Sequence, residues 1–352
     1  MKQQLVYDED IFLKINELIS INQFEVIFVL CDKNTEKHCL PILKSQLNSN
    51  IEIHNFSIEV GERSKNIRNA ELIWRKLIEI RNSRKILLIN LGGGMVSDIG
   101  GFVAATFMRG IDFINVPTSL LAMVDASIGG KTGINLDDTK NIIGAYAFPM
   151  ATFIHADFLK TLEKREFLSG LAEMLKHGLI HNKKHWENIC SIQQINSESI
   201  KDLIIDSTKI KIEIVERDPN DQGIRKTLNF GHTIGHAIES ESMNAENYLL
   251  HGEAIAVGML IESLLSYHKN MLNEMEVDEI FRNILKIFPK VRITEKTIPK
   301  LIDKMKLDKK NQKSQINFSL INGLGQSTFD VFIDKNSIHQ AILEYNRKLE
   351  QY

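Results

Sequence analysis

The sequence predicts an α/β protein in two domains, an alternating strand–helix half over residues 1–160 and a mainly α-helical half over 161–352. Three observations predict it. The 352 residues exceed what one hydrophobic core organises comfortably. Short β-rich runs alternate with helical spacing as far as Pro117, the pattern of parallel βαβ units in a Rossmann-like sheet, with ligands at the carboxyl ends of its strands. Near Leu159 the texture changes, and helical periodicity dominates as far as Lys313.

In chain order, Phe24 to Leu30 is a buried strand ending at Cys31-Asp32, Ile51 to Ile58 alternates as a strand, and Ala70 to Ile80 has helical spacing. Lys85 to Leu91 is another apolar strand. Glycines follow it, then a helix-like stretch through Phe107, then a strand from Ile111 to Val116 closed by Pro117. In the second half Glu166 to Ile180, Ile200 to Val215 and Ala254 to Tyr267 read as helices, with Gly178 and Pro289 as helix stops. Strands return only at Ile316 to Ile321 and Thr328 to Ile333, before an amphipathic helix from Ser337.

Composition bounds the function. Hydrophobic residues at 43% and charged residues at 25% are ordinary for a globular chain, and a formal charge of -2 supplies no basic field for nucleic acid or an anionic membrane. Any anion must be met by local lysines and arginines. Cys31, Cys39 and Cys190 show no CxxC spacing and cannot all pair, which fits a reducing compartment. Met1 to Gln4 lead to acidic residues by Asp8 with no apolar h-region, and no stretch approaches the roughly 20 apolar residues of a membrane span. The reading is a cytoplasmic protein.

The segment Ile89-Asn90-Leu91-Gly92-Gly93-Gly94-Met95-Val96-Ser97-Asp98 sits where a strand should pass into a helix. Glycines there let the backbone approach a pyrophosphate, whose charge the N–H groups of the helix start stabilise. The plain alternative is a tight turn needing positive φ. Ser97 replaces the last glycine of GxGxxG, and the acid expected about 20 positions on falls near Asp112. Gly129-Gly130-Lys131-Thr132 imitates a Walker A loop but carries Asp125 where its first glycine belongs, and it follows a helical run. Lys131 remains a candidate anion ligand.

Asn229-Phe230-Gly231-His232-Thr233-Ile234-Gly235-His236 places two imidazoles at i and i+4 on one helix face. His251-Gly252-Glu253 opens a later apolar helix, and Glu173 and Lys176 stand within one turn of each other upstream. Histidines with a carboxylate and an open position suit a catalytic zinc, while the absence of HExxH excludes that class of metalloprotease. Among 11 histidines some reach helical spacing by chance, and His38, His54, His181, His185, His268 and His339 take that reading. Spacing alone selects His232 and His236 as joint ligands.

Several blocks then carry a family resemblance: Arg109-Gly110-Ile111, Val116 through Asn135, Lys140-Asn141-Ile142-Ile143-Gly144-Ala145, Gly170-Leu171-Ala172-Glu173, Leu228-Asn229-Phe230-Gly231-His232 and His251-Gly252-Glu253-Ala254. Together they resemble the 3-dehydroquinate synthases, in family order from about Asp32 to Lys310. The resemblance implies an NAD- and zinc- (or cobalt-) dependent cyclase with an NAD-binding Rossmann-like first domain and a metal-binding helical second domain. Its implied substrate is a sugar phosphate, 3-deoxy-D-arabino-heptulosonate 7-phosphate. NAD would transiently oxidise the 5-hydroxyl, phosphate would leave by β-elimination, the ketone would be reduced again, and an intramolecular aldol step would close the ring.

Carried over by position, the resemblance implies cofactor contacts at Asp32, Asn34, Glu62, Lys65, Gly93, Gly94, Asp98, Thr118, Ser119, Lys131, Lys140, Thr161 and Glu166. It implies metal ligands at Glu173, His232 and His251. Catalytic and substrate contacts would be Arg109, Asp125, Lys131, Asn141, Lys176, Lys211, Arg225, Asn229 and His236, with one lysine of the pair Lys309-Lys310. Arg109 would reach into a partner's site, implying a homodimer. Met95, Ser97, Asn115, Met123 and His155 depart from the usual pattern, and none is an implied ligand.

The residue chemistry agrees with these roles. A substrate bearing a carboxylate and a phosphate needs several cations, arginine forking a carboxylate and lysine acting as a point charge. His236, one turn from His232, could relay the proton of the elimination. Rival readings are another sugar-phosphate cyclase acting on sedoheptulose 7-phosphate, a metal-dependent polyol dehydrogenase, and a catalytically inactive binding protein.

Overall fold

A computed structural model describes residues 4–7, 10–48, 51–80, 85–137, 139–243, 248–306 and 315–352. The chain packs as two units, Met1–Glu163 and Lys164–Tyr352. The first contains β1 (Leu5–Tyr7), α1 (Ile11–Asn22), β2 (Val26–Asp32), α2 (Lys33–His38), α3 (Leu40–Gln46), β3 (Glu52–Ile58) and α4 (Ile67–Ile80). It continues with β4 (Ile86–Gly92), α5 (Gly94–Thr106), β5 (Asp112–Pro117), β6 (Lys131–Leu136), β7 (Thr139–Tyr146) and β8 (Thr152–Ile154).

Six of these strands form a parallel sheet in the order β1-β8-β5-β4-β2-β3. Every residue of β2 and β4 is buried, as a parallel strand covered on both faces requires, which is why both read as unbroken apolar runs. Phe28, Leu30, Leu88, Ile73, Leu77, Val96, Ile99 and Val103 form the core between the sheet and α4 and α5. The chain leaves β2 towards β3 on one side and returns to β4 on the other. The strand order therefore reverses between β2 and β4, and the carboxyl ends of those strands, Asp32 and Gly92, flank the crevice where such sheets bind ligands.

The antiparallel hairpin of β6 and β7 follows a π-helical turn at Ala122–Ala126. Thus Lys131 opens a strand, where a P-loop lysine would open a helix. Asp112 also opens its strand, level with Leu87, so it lies at the amino end of the strands, away from Gly92 at their carboxyl end, and cannot be the acid of a dinucleotide fingerprint.

The second unit contains α6 (Lys164–His181), α7 (Lys183–Cys190), α8 (Lys201–Arg217), α9 (His232–Ser242), α10 (His251–His268), α11 (Glu274–Ile287), α12 (Ile298–Lys306), the antiparallel pair β9 (Gln315–Ile321) and β10 (Ser327–Asp334), and α13 (Lys335–Lys348). The expected stop at Gly178 is corrected: α6 runs through it. A Cβ there would lie 2.7 Å from the Trp186 backbone N, so the glycine serves the close approach of α7. Pro289 does follow the end of α11. Residues 252–266 of α10 are all buried, Glu253, Glu262, Ser263 and Ser266 included. No helix among the described residues is long and apolar enough to cross a membrane.

Candidate active site

In the first unit, β4 ends at Gly92 and α5 begins at Gly94, with Gly93 in extended conformation at φ -75 and no side chain capping the helix start. The first-turn N–H groups therefore keep their capacity for an anion. None of the three glycines has positive φ. They provide space instead: a Cβ would lie 2.5 Å from Val96 Cγ2 at Gly92, 3.2 Å from Ser119 Oγ at Gly93 and 3.0 Å from Ala126 Cβ at Gly94. Thr118 joins the same edge by donating its backbone N–H to Gly92 O at 3.0 Å. Asp32 caps α2, its Oδ1 accepting the Thr35 N–H at 2.8 Å.

A polar chain then links Asp98 to Asn141. Lys65, almost wholly buried, places Nζ 3.0 Å from Asp98 Oδ2 and 2.9 Å from Glu62 Oε1. Burial pushes the Asp98 carboxyl up to about 6, against the pull of Lys65. Burial also works against the Lys65 ammonium, but Asp98 and Glu62 outweigh it and hold the group charged. Asn135 Nδ2 donates to Glu62 Oε1 at 2.8 Å, its backbone N–H donates to Lys65 O at 2.8 Å, and its Oδ1 accepts the Asn141 N–H at 2.8 Å. Asn141 holds φ 53 there, a left-handed conformation that this contact stabilises. Asn34, Arg109, Lys131, Asn141 and Thr161 lie exposed, while Asp125 and Lys140 are half-buried. Met108 and Arg109, at φ 51 and 69, precede Gly110 at φ 122, so three successive residues turn through left-handed space to present Arg109.

In the second unit, three helices bring Glu173, His232 and His251 together. Glu173 on α6 is fully buried, and its Oε1 lies 3.4 Å from Nε2 of both His232 and His251. His232 opens α9 and His251 opens α10. His232 Nδ1 donates to Phe230 O at 3.1 Å and His251 Nδ1 to Glu239 Oε2 at 3.4 Å, which turns both Nε2 atoms towards the Glu173 carboxylate. Two imidazole nitrogens and a buried carboxylate oxygen converging on one point, the donor set of an open zinc or cobalt site, fit a divalent cation that would displace the His251 Nε2 proton. Burial and the Lys176 charge hold His232 well below the usual histidine range. Burial also opposes charge on His251, but bonds to Glu173 and Glu239 raise it to about 9.

His236 belongs to the same histidine cluster. Its ring lies 5.0 Å from that of His232 and 5.7 Å from that of His251, and ligand atoms of the three histidines fall within 4.8 Å of one another. Unlike Glu173 it is exposed, and it lines a pocket of about 60 Å³ with Asn229, Lys226 and Asp330. Lys176, Lys211 and Arg225 are buried cations. Lys176 pairs with Glu173, and Arg225 Nη1 donates to Pro219 O at 3.0 Å. Glu166 lies exposed on α6. Lys309 and Lys310 fall outside the described residues.

The departing residues have structural work. Ser97 Oγ donates to Gly94 O at 3.0 Å, Asn115 Oδ1 accepts from Asn90 at 2.9 Å, and His155 meets the rings of Phe12 and Phe158 edge-on. Met123 is fully buried and Met95 packs on the core. Two polar residues escaped sequence reasoning. Asn135 stood inside a quoted block without a role. Glu262 stands alone in the apolar run Leu260-Ile261-Glu262-Ser263-Leu264, and a lone carboxylate there signals a buried charge with a dedicated partner. Burial pushes its carboxyl up to about 8, against the backbone N–H groups of Ile234, Gly231 and Thr233.

Residues 55–169 match the family model described as 3-dehydroquinate synthase N-terminal, and residues 170–311 match 3-dehydroquinate synthase C-terminal. A 3-dehydroquinate synthase of Parabacteroides distasonis is 38% identical over 345 residues, covering 97% of this chain and 96% of the relative. That of Helicobacter pylori is 38% identical over 339 residues, covering 94% and 95%. Among solved structures, 2-deoxy-scyllo-inosose synthase, complexed with carbaglucose-6-phosphate, NAD+ and Co2+, superposes with a TM-score of 0.85 at 21% identity, covering 97% and 96%. The 2-epi-5-epi-valiolone synthase of Streptomyces hygroscopicus, with NAD+ and Zn2+ bound, gives 0.84 at 22%, covering 99% and 98%. At such identity these two share the fold.

Proposed function

The chain belongs to the 3-dehydroquinate synthase family, and from that premise we propose that its two units divide the family's reaction, the first holding NAD+ and the second a divalent metal. The reaction converts 3-deoxy-D-arabino-heptulosonate 7-phosphate into 3-dehydroquinate and phosphate in the shikimate pathway, and we class the enzyme as a carbon–oxygen lyase. The observation that carries the proposal is the convergence of His232 Nε2 and His251 Nε2 on Glu173 Oε1, each at 3.4 Å.

When bound, NAD+ supplies reversible hydride acceptance and Zn2+ or Co2+ supplies Lewis-acid polarisation of the reacting oxygen. The protein does the rest. Gly93 and Gly94 leave room for the pyrophosphate at the start of α5, with Thr118 and Ser119 beside them, and Asp32 and Glu62 take the ribose hydroxyls. Lys65 keeps Asp98 and Glu62 oriented. Lys131, Lys140, Asn34, Thr161 and Glu166 complete the cofactor contacts from more exposed positions.

Glu173, His232 and His251 hold the metal, with Phe230 O and Glu239 fixing the imidazole tautomers. Lys176, Lys211 and Arg225 meet the substrate's carboxylate and phosphate from buried positions, where a cation gains most from an anionic ligand. Asp125, Asn141 and Asn229 orient its hydroxyls. His236 relays a proton towards the departing phosphate, which is itself basic enough to take it. We further propose a homodimer in which Arg109 reaches the partner's site, supported by the left-handed backbone that presents it. Three free thiols agree with a cytoplasmic enzyme.

Binding calorimetry tests the division of labour. Full-length enzyme should take up one NAD+ and one Co2+ per chain, with His251→Ala losing only the metal. Loss of both ligands together would contradict two separable sites.

A further inference from the structure

The start of α9 lacks a side-chain cap of its own, because Gly231 occupies the N-cap position at φ +79. Helix starts leave backbone N–H groups unsatisfied, and burying them without partners is destabilising. The partner here comes from another helix. Glu262 of α10 accepts the Gly231 N–H with Oε2 at 2.6 Å and the Ile234 N–H with Oε1 at 3.1 Å, and the residue is fully buried. Both oxygens accept at the positive end of α9, which pulls the group towards its ionised form against the burial that raises it.

The same crossing is closed by glycines. A Cβ on Gly258 would lie 2.0 Å from Gly231 O, one on Gly231 would lie 2.6 Å from Met259 Cγ, and one on Gly235 would lie 3.1 Å from Ala254 O. The two helices therefore touch backbone to backbone. A serine or aspartate at the N-cap would bring a Cβ into the crossing at position 231, where φ +79 and Met259 leave no room for one. A cap supplied by α10 does something more: it ties the helix that begins with His232 to the helix that begins with His251.

We propose that Glu262 is a positioning residue for the metal site, its carboxyl group locking α9 to α10 so that the imidazoles of His232 and His251 stay registered on Glu173 before any metal arrives. The inference rests on the metal reading above. In the Glu262→Gln variant the amide can accept one N–H but turns its own NH2 towards the other.

The test uses the full chain with Co2+ as probe, titrated against a competing chelator, with the cobalt d–d spectrum and NAD+ affinity recorded alongside. For Glu262→Gln the expected result is a Co2+ affinity weakened roughly 10- to 100-fold, the scale for loss of a residue that orients ligands, with shifted d–d bands and unchanged NAD+ affinity. An unchanged Co2+ affinity and spectrum would overturn the inference. If wild-type protein bound no Co2+, or if His232→Ala and His251→Ala bound it as wild type does, the metal reading itself would fall. Should Glu262→Gln not fold, hydrogen exchange on wild type decides: the Gly231 and Ile234 amides should be protected equally with and without Co2+. Free exchange in the metal-free protein would show that the cap does not precede the metal.

Discussion

Oε1 of Glu173 lies 3.4 Å from Nε2 of His232, although the two residues come from different helices, α6 and α9. The tautomer fixed by Phe230 O leaves the His232 Nε2 lone pair facing a carboxylate oxygen, an arrangement that a cation between them would satisfy. Replacing Glu173, His232 or His251 by alanine should remove the bound metal. His236→Ala should keep it near stoichiometric while kcat falls by roughly 10²- to 10⁴-fold, the scale of a lost proton-transfer group. Metal analysis of the purified variants separates the two roles, and metal loss from His236→Ala would make that residue a ligand.

Asp98 gives a pH signature. Its carboxyl is raised from 3.8 to about 6 in the fold, so between those values the native state keeps a proton that the unfolded chain has lost. Its contribution to stability therefore falls as pH rises through that window, by roughly 3 kcal/mol at most for a shift of this size. Urea unfolding of cofactor-free wild type and Asp98→Asn should show the variant gaining on wild type from about pH 4 to about pH 6. A constant difference across that range would refute the assignment.

Asn135 joins the Glu62 carboxylate to the Asn141 backbone through one side chain. Asn135→Ala should weaken NAD+ binding about tenfold or more, since a hydrogen bond to a charged group contributes about 1.5–3 kcal/mol. It should also raise KM for the sugar phosphate, because Asn141 loses the acceptor that holds its left-handed backbone. Fluorescence titration of NAD+ and steady-state kinetics read the two effects. A change in only one would show that the residue does not couple them.

Arg109 tests the dimer. Arg109→Ala and His251→Ala should each be inactive alone. Mixed and allowed to exchange subunits, they should recover roughly a quarter of wild-type activity, because half the molecules become heterodimers with one intact site each. Activity that stays at the level of the separate variants would place Arg109 in its own subunit's chemistry.

What the sequence discloses follows from range. β2 and β4 are legible because burial on both faces writes a continuous apolar run, and α5 because its glycines follow such a run directly. The β6–β7 hairpin is not, since its strands mix exposed and buried positions and its first residues imitate a phosphate loop. Gly178 misleads for a related reason: a glycine that admits Trp186 and one that ends a helix look alike until the neighbouring helix is known. In the metal cluster, i,i+4 spacing points to His232 and His236, whereas the 3.4 Å contacts join Glu173 to His232 and His251 across three helices. Local spacing cannot register a contact from a third helix, although it does find His232 and His236, whose ligand atoms lie within 4.8 Å of each other and of His251. Asn135 donates to the Glu62 carboxylate and Glu262 accepts the Gly231 N–H, partners far along the chain that no local pattern identifies.

The most direct test of the whole account is phosphate release from 3-deoxy-D-arabino-heptulosonate 7-phosphate, followed together with absorbance at the NADH wavelength. Release should require both NAD+ and Zn2+ or Co2+, stop with a chelator, and proceed with no net NADH, because the hydride returns to the substrate in each cycle. Phosphate release from sedoheptulose 7-phosphate alone, or NADH accumulating in step with turnover, would contradict it.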